Sequence, residues 1–291
     1  MCLVAIALDR NRRFPLVVAA NRDEHFERPT ASLSWWAPHG GGPSILGGRD
    51  RQSGGTWLGL TAEGRLGLVT NLRDSRPSFV DAPSRGQIVP NWLSGRDAID
   101  KFWMRSGVTG YNGFNLIAAD FRIGECFWLS NSRAYPRRLE RGIYGLSNGE
   151  LDAPWPKVVS LKDKVLHSVE HACDMEQLAL QLFQALADRT IAQDDKLPRT
   201  GIPQDCERQL SAAFIRIPDR PYGTRCSTLI ITERVNRYLV THVLERTFGL
   251  AEGDAHTRRS TIRRWPPRHT SHSPTPAIEP AAVTEAAEVP V

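Results

Sequence analysis

Residues 1–24 read MCLVAIALDRNRRFPLVVAANRDE. Two short apolar runs, residues 2–8 (CLVAIAL) and 15–20 (PLVVAA), flank the polar DRNRR, a pattern that predicts a β-hairpin at the start of the chain. Antiparallel pairing brings the end of the second strand beside the first residues of the first. The tetrapeptide Asn21-Arg22-Asp23-Glu24 is thereby placed next to Cys2. Removal of the initiator Met leaves a free amine beside a thiol, with unperturbed pKa values of about 7.7–8.0 and about 8.5. Near neutral pH such an amine takes the thiol proton and the thiolate attacks a carbonyl. Arg22 is suited to hold an anion or to lower the thiol pKa, Asp23 to accept hydrogen bonds from the α-ammonium, and Asn21 to donate to an oxyanion. Taken singly, Cys2 also reads as a small apolar residue opening a buried strand, and NRDE as a polar, solvated turn.

Further strands are predicted at residues 56–60, 65–70, 114–119, 126–130, 142–146, 226–232 and 237–244, each bounded by Gly, Asn, Asp or charged residues. Helices are fewer: 84–94, interrupted by Pro90, then 96–105, 155–169 and 174–188, the last opening on an Asp cap. Strands grouped towards both ends with helices between them predict an α+β layered domain of stacked sheets, not the β-α alternation of a dinucleotide-binding fold. Neither GxGxxG nor a P-loop is present.

The 291 residues are 41% hydrophobic and 24% charged, the make-up of a globular protein able to bury a sizeable core. The formal net charge is +5, yet the arginines are scattered along the sequence without a continuous basic stripe, which argues against nucleic acid as a partner. The N-terminus lacks the basic residues and small-residue cleavage site of a secretory signal, and no stretch reaches the ~20 apolar residues of a membrane span. Five cysteines without close pairing or metal-ligand spacing fit a reducing compartment, with neither disulfide nor metal, and place the protein in the cytoplasm. From about residue 252 the sequence turns rich in Pro, Ala, Thr and Arg and loses apolar periodicity. Residues 1–252 are therefore expected to form the folded domain and 253–291 a disordered tail. Gly54-Gly55-Thr56-Trp57 reads as a tight turn into a strand whose Trp57 packs near the pocket. In LDAPWPKV (151–158) the prolines mark the start of a helix with Lys157 on its surface, and His25 is expected on the surface beside NRDE.

MCLVAIAL, NRDE, GRDRQSGGTWLGL (48–60), TNLR (70–73), SRG (84–86), GFNL (113–116), LSNGELDAPWPKV (146–158) and YGTRCST (222–228) together resemble the NRDE family, also called the transport and Golgi organisation family. The resemblance covers roughly residues 1–250. That family is similar, more distantly, to the cysteine N-terminal-nucleophile (Ntn) hydrolases typified by penicillin V acylase and bile salt hydrolase, which implies a four-layer αββα sandwich of stacked antiparallel sheets. It also implies roles for particular residues: Cys2 as nucleophile, Asp23 as partner of the α-amine, Asn71 as oxyanion donor, Asn148 as a group positioning substrate or oxyanion, and Arg225 as the late arginine of those sites. In the enzymes Arg precedes Asn in the turn, whereas Arg22 follows Asn21. Either Arg22 fills the guanidinium role from a shifted position or that role is lost.

Two functions are open on these readings. In one, Cys2 hydrolyses a non-peptide amide bond, with a small hydrophobic amide as the substrate and no cofactor required. In the other, which follows from family links to haem mobilisation, lipid or acyl-CoA metabolism and Golgi organisation, the protein binds and carries haem or another small anionic metabolite. Asn21, Arg22 and Glu24 would then contact the ligand, with Trp57 as a wall.

Overall fold

The first strand, β1 (Cys2–Leu8), is buried along its whole length because it is covered on both faces. Val4, Ile6 and Leu8 point into a core between two sheets, while Leu3, Ala5 and Ala7 point into a second core beneath helices. Its partner β2 (Leu16–His25) runs antiparallel in a register from Leu8↔Leu16 to Cys2↔Arg22, so the expected hairpin forms. The structure, a computed structural model, describes residues 2–73, 79–133, 135–217, 220–250 and 253–267.

After this hairpin come β3 (Thr30–Trp36), β4 (Ile45–Asp50), β5 (Leu58–Thr61) and β6 (Arg65–Asn71). A 3-10 turn at Arg85–Gln87 leads into α1 (Ile88–Ser94) and α2 (Ile99–Gly107). β7 (Phe114–Asp120), β8 (Glu125–Ser130), β9 (Arg137–Arg138) and β10 (Gly142–Leu146) follow, then α3 (Pro156–His171), α4 (Met175–Leu186) and α5 (Gln204–Gln209). The last described strands are β11 (Tyr222–Val235), β12 (Tyr238–Phe248) and β13 (Ala255–Arg263). One sheet has the order β10-β1-β2-β11-β12-β13 and the other β3-β4-β5-β6-β7-β8-β9, with every pairing antiparallel. Val4, Ile6, Val18 and Ile230 of the first sheet meet Leu58, Leu66, Leu68 and Trp128 of the second. Val158, Leu161 and Val165 of α3 and Leu178 and Leu182 of α4 cover the outer face of the first sheet, and α1 and α2 cover that of the second. The layers are αββα, the four-layer stacked-sheet sandwich that the resemblance implies. Among the described residues no helix is long and apolar enough to cross a membrane.

Local chemistry sets the helix starts. Asp174 accepts a 2.7 Å hydrogen bond from the Gln177 N–H and so caps α4. Pro90, which seemed to interrupt a helix over 84–94, sits in the first turn of α1, where its missing N–H has no intrahelical acceptor to lose.

The boundary at residue 252 is corrected by the structure. Residues 255–263 form β13, paired with β12 from Phe248↔Ala255 to Val240↔Arg263. An edge strand left half-exposed by its position can be polar on both faces, so its sequence carries no apolar alternation. What anchors it is Trp265, only 1% exposed, whose indole donates to the Thr61 carbonyl at 2.8 Å and whose carbonyl accepts from Thr241 Oγ1 at 2.9 Å. Residues 268–291, the rest of the expected tail, lie outside the described residues. Strands β3 and β4 were also missed by sequence patterning; β4 carries Gly47, Gly48, Arg49 and Asp50 where alternation would be sought.

Trp265→Ala removes a buried indole joining the two sheets and is expected to lower unfolding free energy by about 3–5 kcal/mol in urea titration. Ending the chain at residue 252 is expected to destabilise it at least as much, since β13 is lost as well.

Candidate functional site

Cys2 stands at the end of the sandwich where β1 begins and β2 ends. A cavity of about 240 Å³ opens there, and Cys2, Arg22, Asp23, Glu24, Trp57 and Asn71 all line it. The sequence placed these six together, and the register Cys2↔Arg22 is what joins the first two. Cys2 is 8% exposed, and its carbonyl accepts a 3.0 Å hydrogen bond from Ser147 Oγ. Burial pushes its thiol pKa up and Arg22 pulls against that rise, so the resting group is a thiol.

Arg22 is 5% exposed. Its guanidinium lies 4.4 Å from the centre of the Trp57 ring, 3.6 Å from Glu24 and 3.4 Å from Thr30 Oγ1. A buried arginine is thus matched by an aromatic face and a carboxylate. Glu24 reaches 3.8 Å to Arg28, whose Nε and Nη2 both donate to Asp50 Oδ2 at 2.9 and 2.7 Å. Burial alone would raise the Asp50 carboxyl, but the hydrogen bonds from Arg28 and Ser53 take it below its ordinary value.

Asp23 is fully buried; its Oδ1 accepts from Thr224 Oγ1 at 2.7 Å. Burial raises its carboxyl pKa, with Lys157 and Thr224 opposing. Lys157 was expected on the surface and is instead 5% exposed, its Nζ donating to the Leu210 carbonyl at 2.8 Å. Burial brings it down to about 8, with Asp23 opposing. The spacing holds the reason: Lys157, Leu161 and Val165 are four apart and share the inward face of α3.

Three expected site residues have other employment. Asn21 neighbours Arg22 on a strand and therefore points to the opposite face. Its Nδ2 donates to the carbonyls of Leu186 (2.9 Å) and Ala213 (2.8 Å), and its Oδ1 accepts from Ser227 Oγ at 2.6 Å, so neither donor is left for an oxyanion or ligand. Arg225 sits at an irregularity of β11, where the register against β2 jumps between Thr224↔Asp23 and Cys226↔Arg22. The extra residue is turned aside, and Arg225 Nη1 donates to the carbonyls of His25 (2.7 Å) and Arg28 (3.1 Å) instead of lining the cavity. Asn148 is fully buried behind the cavity and donates from Nδ2 to the Asn71 carbonyl at 3.0 Å, bracing the end of β6. The Asn71 side-chain amide makes no hydrogen bond among the described residues and remains available to a ligand.

Arg28, Asp50 and Arg85 also line the cavity and were not singled out in the sequence. Arg85 follows Ser84, whose side chain accepts from the Gly86 N–H at 3.3 Å. This turn is pressed onto the residues before β5: the Thr56 N–H donates to the Gly86 carbonyl at 3.0 Å, and a Cβ on Gly55 would stand 2.0 Å from that oxygen. SRG and SGGTW are therefore two halves of one contact. Arg85 is half-buried, Nη1 donates to the Gly113 carbonyl at 3.0 Å, and no carboxylate forms a salt bridge with it among the described residues. Burial lowers its pKa, with Glu24 and Cys2 opposing. His25 is exposed, as expected.

A four-layer αββα sandwich carrying a cysteine at position 2 over a charged cavity defines the class of protein. Residues 1–249 match the family described as Transport and Golgi organisation 2, and the chain belongs to that family. It is 32% identical over 251 residues to a Transport and Golgi organization protein 2 homolog of Bos taurus, covering 80% of this chain and 89% of that protein. It is 26% identical over 268 residues to Transport and Golgi organization protein 2 of Drosophila melanogaster, covering 85% and 92%. Among solved structures it is similar to a Caenorhabditis elegans N-acylethanolamine-hydrolyzing acid amidase ortholog (TM-score 0.44, 10% identity, 79% of this chain and 92% of that one). It is also similar to the C2A mutant of conjugated bile acid hydrolase from Clostridium perfringens (TM-score 0.43, 8% identity, 83% and 92%).

Folding lowers Lys157 from 10.5 to about 8, so between those values the unfolded chain binds more protons and stability rises with pH. Relative to Lys157→Met, wild-type unfolding free energy is expected to gain on the order of 2–3 kcal/mol from pH ~8 to ~10.5, read by urea titration at each pH. An unchanged difference would show that Lys157 is not held in this environment.

Proposed function

We propose that this protein is an N-terminal-cysteine amidohydrolase acting on a small acyl compound that carries a negative charge. The observation that carries this reading is Cys2 opposite Arg22 in a cavity that also presents an uncommitted Asn71 amide and an arginine, Arg85, without a carboxylate partner. Once Met1 is removed, the Cys2 α-amine takes the Sγ proton as Sγ attacks the substrate carbonyl carbon. The C–S bond forms, the carbonyl π electrons move to oxygen, and the Asn71 amide donates to that oxyanion. Collapse breaks the C–N bond; the departing amine takes the proton from the α-ammonium, leaving a thioester on Cys2. Water, giving its proton to the same α-amine, adds to the thioester, and cleavage of C–S releases the carboxylic acid and restores the thiol. Asp23 orients the amine. The resting thiol favoured by burial suits transfer of its proton during attack in place of a standing thiolate.

The substrate class departs from the small hydrophobic amide expected from the sequence, because Arg22, Arg28, Arg85, Glu24 and Asp50 line the cavity. Its volume of about 240 Å³ lies below the ~300–1,000 Å³ of drug-sized sites, which favours a compact substrate. A second reading, carriage of an anionic metabolite without turnover, draws on the same Arg85. For haem as the carried ligand the cavity lining offers no histidine among the described residues, and a smaller anion suits it better. A cytoplasmic location would keep the Cys2 thiol reduced, as the mechanism needs.

The test is intact-mass analysis after incubation with electrophilic amides or β-lactones, with and without a carboxylate, from pH ~5 to ~9. The expected product is the chain lacking Met1 plus one acyl group, absent in Cys2→Ser. Arg85→Ala should slow acylation by the carboxylate-bearing probe tenfold or more, as loss of a charge-assisted hydrogen bond worth about 1.5–3 kcal/mol implies, and leave the neutral probe unaffected. No adduct at any pH ends the hydrolase reading, and anion affinity that then disappears in Arg85→Ala establishes carriage.

A further inference from the structure

The end of the first sheet away from Cys2 gathers arginines that lie far apart in sequence. The registers Leu8↔Leu16, Thr232↔Leu16, Val235↔Tyr238 and Val240↔Arg263 bring the β1–β2 turn, the β11–β12 turn and the end of β13 to this one edge. Arg10 and Arg13 there are neutralised by Glu170 (2.9 Å) and Glu233 (2.7 Å). Arg12, Arg234, Arg237, Arg263 and Arg264 are exposed and form no salt bridge among the described residues. They are contiguous: the Arg234 N–H donates to the Arg13 carbonyl at 2.7 Å and its Nε to the Arg12 carbonyl at 3.2 Å. The guanidinium groups of Arg264 and Arg237 lie 4.9 and 6.0 Å from the centre of the Tyr238 ring. Asp9, exposed on the β1–β2 turn, is the acid of these turns that stands without a salt bridge. Two apolar side chains, Val235 (42% exposed) and Tyr238 (47%), stand among the arginines.

We propose that this end of the sandwich docks on an anionic lipid bilayer. Five guanidinium groups without a carboxylate partner among the described residues, spread over two turns and the end of β13, match a surface whose negative charge is diffuse, where each contributes additively to attraction. Val235 and Tyr238 supply the apolar contact that the headgroup boundary accepts and that a phosphate backbone does not need. Single-stranded nucleic acid is held by open aromatic faces, whereas the ring of Tyr238 is already flanked by Arg237 and Arg264. The docked orientation leaves the Cys2 cavity at the far end, open to water, so its substrate arrives from the aqueous side. The proposal stands independently of whether Cys2 is catalytic.

The full-length protein should sediment with phosphatidylcholine vesicles containing roughly a third phosphatidylserine, should not sediment with pure phosphatidylcholine, and should be released near ~0.5 M salt. Arg234→Glu, Arg237→Glu and Arg264→Glu combined should weaken binding about 100-fold. Its thermal melt should match wild type, since the exchanged side chains are exposed. Val235→Ser with Tyr238→Ser, which leaves the charge intact, should also weaken vesicle binding while leaving heparin binding unchanged. The proposal is overturned by equal sedimentation with neutral and anionic vesicles, by undiminished binding of either variant, or by a DNA duplex that binds more tightly than the anionic vesicles at the same salt.

Discussion

The antiparallel register that sets Cys2 opposite Arg22 decides what the neighbouring elements must supply. Slipping it by one residue would exchange Asn21 for Arg22 beside Cys2 and turn every apolar side chain of β2 to the wrong core. With the register as it is, a guanidinium is buried between the sheets, and a buried charge is tolerated only when matched. Trp57 from the second sheet provides a face, Glu24 a carboxylate and Thr30 a hydroxyl. Trp57 itself fits because Gly48 beside it carries no side chain: a Cβ there would come within 2.3 Å of the indole. Within GRDRQSGGTW, Gly48 is thus explained by the space the tryptophan requires and Gly55 by the approach of the Gly86 carbonyl.

From Arg22 the charges alternate outward along the cavity through Glu24, Arg28 and Asp50. Each member is held by the next, which fixes their geometry and spends their charge inside the protein. Arg85 breaks the alternation. It is delivered by a separate turn, secured through Gly86 to the residues before β5, and it ends with a cation facing open space. A ligand anion would complete the series that the protein's own carboxylates leave off. Beneath the sheet, on the helix side, Lys157 of α3 opposes the burial that raises the Asp23 carboxyl, and Asp23 opposes the burial that lowers Lys157.

The sequence was most legible where side-chain pattern and backbone pairing agree. The hairpin of residues 2–25, both sheets' central strands and the capped helix α4 have apolar periodicity because they are covered by neighbouring layers. β13 was illegible because main-chain pairing and one tryptophan hold it, and neither produces a period in the sequence. Within the site, Cys2, Arg22, Asp23, Glu24, Trp57 and Asn71 were found through the hairpin and the resemblance. Asn21 was misplaced by treating four consecutive residues as one turn, although on a strand successive residues face opposite layers. Arg85 lies in SRG, one of the motifs of the resemblance, but no role could be read for it there, since its place comes from a tertiary contact between Gly55 and Gly86.

The irregularity in β11 shows how one extra residue serves both halves of the site. Up to Cys226↔Arg22 the pairing with β2 is regular, and beyond it Thr224 stands opposite Asp23. Without the inserted residue, Arg225 would occupy the place opposite Asp23 and bring a guanidinium to the carboxylate beneath Cys2. A charge there would hold Asp23 as its own partner. The shift exchanges that charge for the Thr224 hydroxyl, which donates a single 2.7 Å bond and itself accepts from the Ile215 N–H. Arg225, released outward, ties the His25 and Arg28 carbonyls and so fixes the turn from which Arg28 reaches Asp50. The motif YGTRCST therefore acts on the cavity from outside it: its threonine hydrogen-bonds the Asp23 carboxylate, and its arginine ties the turn that carries the cavity wall.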